Sequence, residues 1–223
     1  MVDGPERNRP EMTKENVSPL LIVISAPSGG GKTTLCQQLL ASDPQITRAI
    51  TCTTRAPRPG EKDGVDYYFL DAGAFRQRVA AGEFLEQALV HGNRYGTLKS
   101  EALEKLRQGR DVLLNIDVQG AASIRAQAAQ VEELKRALVS VFLTPPSLRV
   151  LEERLKKRGQ DGPEIIQRRL AVARQEIEQW QYFDYLITST TIAEDLRRMQ
   201  TIVAAERMRQ GRARPPVLNE QAS

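Results

Sequence analysis

The chain has 223 residues, 40% hydrophobic and 27% charged, a composition typical of a globular protein with a sizeable core. Its longest apolar run, residues 20–24, is far shorter than the roughly 20 residues that a membrane-spanning helix needs. Residues 1–18 lack the segments of a signal peptide, and the two cysteines form neither a metal-binding spacing nor a disulfide framework, which favours a reducing cytoplasm.

The formal net charge is +4, and its distribution along the chain is more informative than its size. The basic excess is concentrated between residues 149 and 174, where eight Lys and Arg face four Asp and Glu. A local cationic cluster favours a small polyanion over a long nucleic-acid duplex. We therefore expect small-molecule substrates and neither a nucleic-acid nor a membrane partner, whereas the sequence does not distinguish a monomer from a homo-oligomer.

The hydrophobic pattern changes twice in the first half of the chain. Residues 1–18 have no hydrophobic periodicity and are expected to form a disordered leader. A continuous apolar run predicts a buried strand over residues 20–25, and a glycine-rich turn then leads to a helix over 32–41 and a second strand over 46–51. Residues 52–110 read as a small α+β insertion with the following elements: short alternating runs at 66–70 and 84–90, and a helix at 71–80.

The buried-strand pattern returns in the second half, where strands alternate with helices. Strands are predicted at 112–116, 138–143 and 185–188, and helices at 147–158, 163–181 and 192–208. Gly159 and Gly162 bracket a mobile connector, and residues 210–223 are expected to form a flexible tail. This alternation predicts an α/β fold, in which helices cover both faces of a parallel sheet.

A phosphate-binding loop is the most informative local motif. Residues 25–34 read SAPSGGGKTT and match G-x-x-x-x-G-K-[ST], with Ala26 in place of the first glycine. Glycines let backbone amides face phosphate oxygens, the helix N-terminus adds positive charge, and a Thr hydroxyl can bind Mg²⁺. Thr33 is the candidate metal ligand, and the candidate ATP-binding residues are Ala26, Pro27, Ser28, Gly29, Gly30, Gly31, Lys32, Thr33 and Thr34.

Further motifs follow the loop in a fixed order. They are TCTTRAPRPGE at 51–61, DYYF at 66–69, EFLE at 83–86, NRYGT at 93–97, NIDVQG at 115–120, and an arginine-rich stretch from 154 to 169. Together these motifs closely resemble the guanylate kinase family, and the similarity runs from about residue 21 to residue 209. The chain departs from the family at Asn115, where an aspartate is common.

The resemblance implies a P-loop kinase that transfers the γ-phosphate of ATP to GMP, and to dGMP, with Mg²⁺. Its implied parts are a P-loop core (19–51 and 111–209), a GMP-binding insertion (52–110) and a lid (about 147–175). Matching positions imply that Arg55, Arg58, Tyr67 and Tyr95 hold the GMP phosphate, with Glu61 beside them. They also imply that guanine is surrounded by Thr51, Glu86, Thr97 and Asp117, and that the transferring phosphates contact Lys32, Arg154, Arg158 and Arg169.

The residue chemistry is compatible with this implied reaction. A carboxylate such as Glu86 accepts from guanine N1–H and N2–H₂, and threonine hydroxyls can donate to O6. Adenine would leave such groups unpaired, at a cost of about 1–3 kcal/mol each. No general base is required, because the phosphate group of GMP has a second pKa of about 6, and its attacking oxygen is therefore largely deprotonated at neutral pH. The single histidine, His91, is assigned no role.

Two other functions remain open from the sequence. One is a non-enzymatic interaction module that uses the GMP-type pocket for a phosphorylated peptide, although the intact Lys32 and Thr33 argue against it. The other is a P-loop kinase or ATPase for a different nucleotide or for nucleic acid, and Glu86 argues against that. Asn115 keeps an oxygen ligand but loses a negative charge, so we expect metal binding to depend more on Thr33, ATP phosphates and water, with Asp117 as a further candidate.

Overall fold

The computed structural model describes residues 18–90, 92–159 and 162–213, without the side chain of Arg158. The expected leader lies outside these ranges except for Ser18, and His91 and most of the expected tail are also outside them. Within the described ranges, no helix is long and apolar enough to cross a lipid bilayer.

Nine strands and eight α-helices occur in the described part of the chain. The strands are β1 (Leu21–Ser25), β2 (Ile46–Arg48), β3 (Thr51–Thr53), β4 (Tyr68–Phe69), β5 (Phe84–Val90), β6 (Asn93–Leu98), β7 (Asp111–Asn115), β8 (Leu138–Thr144) and β9 (Tyr185–Thr188). The helices are α1 (Lys32–Ser42), α2 (Ala72–Ala80), α3 (Lys99–Arg107), α4 (Val118–Ala128), α5 (Glu132–Ala137), α6 (Leu148–Arg158), α7 (Pro163–Ile177) and α8 (Ile192–Arg207).

The core is a parallel sheet with strand order β2-β7-β1-β8-β9. Every residue of β1 is buried, as expected for a strand with helices above and below it. Leu35 and Leu39 of α1 pack with Met199 and Val203 of α8 in one cluster with the sheet. Residues of α3 and α4 pack in another cluster that includes Val23. The predicted α/β fold, a parallel sheet between two layers of helices, is confirmed.

A second, mixed sheet has strand order β4-β3-β6-β5. β6 pairs antiparallel with both β3 and β5, whereas β3 and β4 are parallel. Its small apolar cluster contains Cys52, Phe75 and Phe84, and the two phenylalanine rings stack with centroids 4.5 Å apart. Burial against helix α2 leaves the side chains on the other face of these strands free to line a site.

Helices α6 and α7 form a helical pair with an apolar cluster of its own. Leu151 and Leu155 pack there with Ile166 and Leu170. Gly159 ends α6 in a left-handed conformation (φ +64°), and Pro163 begins α7, where its missing N–H costs no helical hydrogen bond.

The expected single strand over residues 46–51 is wrong. The chain leaves the core sheet after Arg48 and enters the second sheet at Thr51, so two short strands replace one. The Ala49 N–H still donates to Leu113 O, but the Ile50 N–H donates to the carboxylate of Glu101. A side chain of α3 therefore satisfies the backbone where the chain passes between the sheets.

Several further boundaries differ from the sequence prediction. The helix expected over 163–181 ends at Ile177, and a 3₁₀ turn covers Glu178–Tyr182. The strand β6 and the helices α3 and α5 were not predicted as elements. α3 and α5 have nine and six residues, and segments so short give little periodic signal.

The expected flexible tail is wrong at its first residues. Arg212 is buried, donates to Arg136 O and Leu138 O, and forms an ion pair with Glu206. Arg212 O also accepts from the Ser18 N–H. A basic residue in a polar segment gives no sequence signal of burial. The free-energy cost of burying its charge is offset only by partners that are distant in the chain.

Candidate active site

The glycine-rich loop lies at the carboxyl end of β1, the central strand of the parallel sheet. The strands β7 and β8, which come later in the chain, flank β1 on its two sides. Parallel sheets bind ligands at such a switch point, where the strand order reverses. Gly29 and Gly31 have φ values of +89° and +97°, which residues that carry a side chain rarely adopt. The loop can therefore direct its backbone amides toward an anion at the start of α1.

Lys32 is the first residue of α1 and points across the carboxyl edge of the sheet. Its Nζ donates to Ile116 O at 2.5 Å, just after β7. Burial lowers the pKa of Lys32, while nearby acidic groups, including Asp117, Glu176 and Glu86, act in the opposite direction. The ammonium group is therefore within electrostatic reach of carboxylates from three different elements.

Glu86 is held in a row of polar side chains that crosses the second sheet. In the strand register, Thr97 of β6 pairs with Thr51 on one side and with Glu86 on the other. The Thr97 hydroxyl donates to Glu86 Oε1 at 2.8 Å, and Glu86 is only 5% exposed. Burial raises the pKa of this carboxyl group. A buried carboxylate whose hydrogen bonds come from a single residue, Thr97, has unused acceptor capacity for a ligand.

The start of α4 closes this row from the side of the core. Asp117 caps the helix by accepting the Gly120 N–H at 2.8 Å. A Cβ atom on Gly120 would lie 2.8 Å from Glu86 Oε2, closer than real Cβ contacts occur. The missing side chain at Gly120 is therefore what lets the Glu86 carboxylate approach the helix.

Arg55, Arg58 and Glu61 form a tight cluster in the loop after β3. The Arg55 guanidinium donates to both Glu61 oxygens, at 2.8 and 2.9 Å, and Glu61 also accepts the Arg58 N–H at 2.7 Å. The bond to Arg55 holds the pKa of Glu61 below its usual range. Arg55 also lies 5.4 Å from the Tyr67 ring centroid, and the Tyr67 and Tyr95 rings meet edge to face. Glu61 therefore fixes the orientation of the Arg55 fork.

One cavity of about 240 Å³ joins the second sheet to the phosphate loop. Six of the sequence-predicted residues line it: Lys32, Thr51, Tyr67, Glu86, Tyr95 and Asp117. Ala88, Val90, Asn115 and Ile116 complete the lining. Thr97 bonds to Glu86, whereas Arg55, Arg58 and Glu61 are not among the lining residues.

A second cleft, of about 310 Å³, lies on the other side of the phosphate loop. It is lined by Gly29, Gly31 and Thr34 of the loop and α1, by Arg154 and Lys157 of α6, and by residues around the start of α8. Of the other two predicted arginines, Arg169 is half-buried in α7, and the side chain of Arg158 lies outside the described part of the structure.

The helical pair α6–α7 rests directly on the phosphate loop. A Cβ on Gly29 would lie 2.9 Å from Leu155 Cδ2 and 3.1 Å from Leu151 Cδ1. From α7, Glu176 Oε2 accepts the Ser28 N–H at 3.2 Å, and burial raises the pKa of this carboxyl group. A backbone donor of the anion-binding loop is thus bonded to a carboxylate.

The residues near the loop fit a hydrated magnesium ion. Thr33 follows Lys32 with its side chain exposed, and Asn115 is exposed at the end of β7. No cluster of three or more His, Cys, Asp or Glu side chains that could hold a metal occurs among the described residues. Mg²⁺ commonly keeps several waters and is bound through substrate phosphates with few protein ligands, so this donor set suits it.

Comparison with known proteins agrees with this geometry. The guanylate kinase family model matches residues 18–206. The chain belongs to the guanylate kinase family. It is 44% identical to a guanylate kinase of Maricaulis maris over 90% of this chain and 88% of the relative, and 46% identical to one of Nitrosomonas europaea over 85% and 90%. The guanylate kinase structure from Anaplasma phagocytophilum superposes with a TM-score of 0.69 at 32% identity, covering 90% of this chain and 93% of that one.

Sequence reasoning missed several residues at the two clefts of this guanylate kinase family member. Gly120 is part of the NIDVQG motif, but its effect on the site depends on its distance from Glu86, which the sequence does not show. Sequence patterns do not indicate Glu176, Ser189 and Asp195, because each becomes relevant only through a contact with a distant element. A buried acidic residue near a helix start, such as Asp195, gives no motif of its own.

Proposed function

We propose that the chain transfers the γ-phosphate of ATP to GMP, giving ADP and GDP, through the residues of the two clefts. Membership of the guanylate kinase family supplies the reaction. The observation that carries the residue assignment is that Glu86 and Lys32 line the same cavity. A base-reading carboxylate and a phosphate-binding lysine in one cavity fit a nucleoside monophosphate that faces the phosphate loop.

The polar row would read guanine by its hydrogen-bonding edge. Glu86 has acceptor capacity for N1–H and N2–H₂, and Asp117 offers a second acceptor in the same cavity. Because the Thr97 hydroxyl already donates to Glu86, we assign donation to O6 to Thr51. No contact in this row depends on the ribose 2′-hydroxyl, so we expect dGMP to be a substrate as well.

The cluster beside this row would hold the GMP phosphate. Arg55 presents a planar fork that suits phosphate oxygens, and Tyr67 and Tyr95 add hydroxyl donors. We assign Arg58 to the same phosphate, from the loop that Glu61 orients. Once the phosphate binds, the Arg55 guanidinium faces two anions, and Glu61 holds it through Nη2 alone, so that other donors remain for the phosphate.

Positioning and charge neutralisation would carry the transfer itself. A GMP phosphate oxygen forms a bond to the γ-phosphorus while the bond from that phosphorus to the bridging oxygen of ADP breaks. Lys32, Arg154, Arg158 and Arg169 are assigned to the charge on the transferring group. Residues 26–34 are assigned to the donor phosphates through the backbone N–H groups of the loop, except at Pro27, which has none. No residue is needed to remove a proton from the attacking oxygen.

We assign Mg²⁺ to Thr33 and the ATP phosphates, with Asn115 beside them. The ion neutralises phosphate charge when it is bound. Asn115→Asp adds a negative charge near this position and should lower the Mg²⁺ concentration needed for half-maximal activity. An unchanged Mg²⁺ requirement in titrations of the two proteins would contradict the assigned role of Asn115.

A coupled ADP-release assay across GMP, dGMP, AMP, UMP and TMP tests the proposed function. We expect turnover with GMP and dGMP and background rates with the other three acceptors. Turnover with AMP alone would contradict the base assignment. Binding of GMP without any turnover would favour the interaction module instead. Because both substrates are small intracellular nucleotides, we also propose a cytoplasmic location.

A further inference from the structure

A chain of hydrogen bonds links Arg154, in the cleft of about 310 Å³ beside the phosphate loop, to a buried carboxylate of the core. Arg154 of α6 donates from Nη2 to Ser189 Oγ at 3.2 Å, and Ser189 Oγ donates to Asp195 Oδ2 at 2.7 Å. The other carboxylate oxygen, Oδ1, accepts the Thr190 N–H at 3.1 Å. Ser189 and Asp195 are 4% and 5% exposed, so the chain is shielded from water where it meets α8.

The direction of these bonds follows from the donor inventory of each group. An ionised carboxylate only accepts, and a serine hydroxyl has one proton, so the Ser189 proton points to Asp195. The lone pairs of the same hydroxyl then face Arg154, whose guanidinium only donates. Asp195 therefore orients Ser189 as an acceptor for Arg154.

Ser189 is itself fixed to the core sheet. Its N–H donates to Thr144 O at 2.7 Å, at the end of β8. Asp195 lies in the first turns of α8, after the cap at Thr191. The acceptor offered to Arg154 thus has two anchors in the core, whereas Arg154 belongs to the helix that rests on the phosphate loop.

The contact lies at the nucleotide cleft. Arg154, Ser189, Thr190 and Asp195 line the same space as Gly29 and Gly31 of the phosphate loop. An arginine side chain loses much rotamer freedom when it is ordered, and a fixed acceptor removes part of that cost before the substrate binds. A guanidinium group bonded in this way can face the transferring phosphate in one orientation.

We propose that Ser189 and Asp195 are positioning residues, which hold Arg154 in its orientation toward the transferring phosphate. This inference rests on the proposed function, in which Arg154 contacts that phosphate. A purely structural role for Asp195, as a partner of the Thr190 N–H at the start of α8, would affect stability without any energetic link to Arg154.

A double-mutant cycle with full-length protein distinguishes these two roles. The variants are Ser189→Ala, Asp195→Asn, Arg154→Ala and the two double variants that contain Arg154→Ala. Glu194→Gln is the matched control, because Glu194 is the adjacent acid on α8 and pairs with Arg197 and Arg198 instead. For each protein, kcat, the two KM values and the melting temperature are measured.

Ser189→Ala and Asp195→Asn should each lower kcat by about tenfold, while KM for GMP stays unchanged. Neither should lower kcat further when Arg154 is already alanine, and Ser189→Thr should restore most of the rate because it keeps the hydroxyl. Glu194→Gln should behave as the parent protein does. This pattern supports the proposal even if Asp195→Asn melts earlier.

Three results would overturn the inference, and none of them contradicts phosphate transfer from ATP to GMP, which fails only if the parent protein itself shows no turnover. Effects of Ser189→Ala and Arg154→Ala that multiply independently would show that Ser189 does not act through Arg154. If folded Ser189→Ala has the kcat of the parent protein while Arg154→Ala has a reduced kcat, the contact between Ser189 and Arg154 does not contribute to the reaction. A parental kcat for Arg154→Ala would remove the role of Arg154 from the proposed function, and the inference with it.

Discussion

The two clefts on either side of the phosphate loop are built from different kinds of groups. The donor side offers backbone amides of a glycine-rich loop together with cationic side chains. The acceptor side offers a row of side chains on a small mixed sheet, including Glu86 and Thr97, which are already bonded to one another. Amides and cations recognise negative charge in general, whereas an ordered set of donors and acceptors recognises one base.

In the function that we propose, this difference separates affinity for phosphate from choice of substrate. Changes at the donor side should reduce the rate with every acceptor equally. Changes at the acceptor side should alter the ratio of rates between acceptors and leave ATP binding intact. The following experiments test that separation, in order of decreasing expected effect.

Lys32→Met should give the largest loss, because it removes the full positive charge next to the phosphate loop. We expect kcat to fall by about 10²–10³-fold with both GMP and dGMP, the range seen when one preorganised electrostatic group is removed. Steady-state kinetics measure this effect, and Lys62→Met serves as a control at an exposed lysine. A decrease in kcat that differs between GMP and dGMP would contradict the proposed separation between the two clefts.

Glu86→Gln should alter base recognition and leave the donor side unaffected. Replacing the carboxylate by an amide leaves at least one guanine donor facing another donor, so kcat/KM for GMP should fall about 10–100-fold. KM for ATP should not change. The exposed Glu83, which pairs with Arg78, provides the matched control Glu83→Gln. A parallel rise in KM for ATP would indicate damage to the whole site.

Acidification should weaken GMP use through Glu86 at a higher pH than an ordinary glutamate would. Burial raises the pKa of Glu86, and the protonated form no longer accepts two bonds from guanine. One pH unit below that pKa, kcat/KM for GMP should be about tenfold lower. Comparison with Glu86→Gln across pH isolates this group from the phosphate of GMP. Identical acid limbs in the two profiles would contradict the assignment.

The same raised pKa predicts the opposite trend for stability. Between the ordinary glutamate pKa and the raised value of Glu86, the folded protein binds more protons than the unfolded chain. The contribution of Glu86 to the free energy of unfolding therefore falls as pH rises through this window. Thermal denaturation of the parent and Glu86→Gln should show the parent gaining relative stability toward acid pH.

Gly120→Ala should displace the Glu86 carboxylate without replacing any residue that is assigned to bind GMP. The added Cβ would lie 2.8 Å from Glu86 Oε2, and crowding of this kind costs about 1–3 kcal/mol. We expect kcat/KM for GMP to fall about 5–10-fold, an effect of about 1 kcal/mol on binding. Gly211→Ala is the control, because nothing lies within 4 Å of its Cβ position. Equal kinetics of the two variants would remove Gly120 from the account.

Glu176→Gln should give the smallest change, and in the opposite direction. Its carboxylate accepts the Ser28 N–H, a donor that faces the ATP phosphates in our proposal. Removal of that charge should lower KM for ATP by about 2–5-fold, as expected for an interaction of about 1 kcal/mol between charges. An increased KM for ATP would indicate that Glu176 supports the loop instead of competing with the nucleotide.

The sequence predicts the strand, loop and helix of the donor side well, because these elements are adjacent in the chain. Strand, glycines, Lys32 and helix follow one another within 22 residues, and each has its own propensity. The parallel sheet follows from its apolar runs. The acceptor side was identified through family motifs, since Thr51, Glu86 and Thr97 meet only through strand register. Short elements such as α5 and buried polar contacts such as Arg154–Ser189–Asp195 depend on distant partners, so local patterns do not indicate them.

The contact of Gly29 with Leu151 and Leu155 has a consequence for natural variation and for engineering. A bulkier or smaller aliphatic residue at either leucine would shift the backbone of the glycine-rich loop, although neither leucine lines either cleft. Substitutions in this apolar interface, which carries no charge, should therefore change the turnover rate. Screens for altered catalysis in this protein should sample those two leucines together with the arginines.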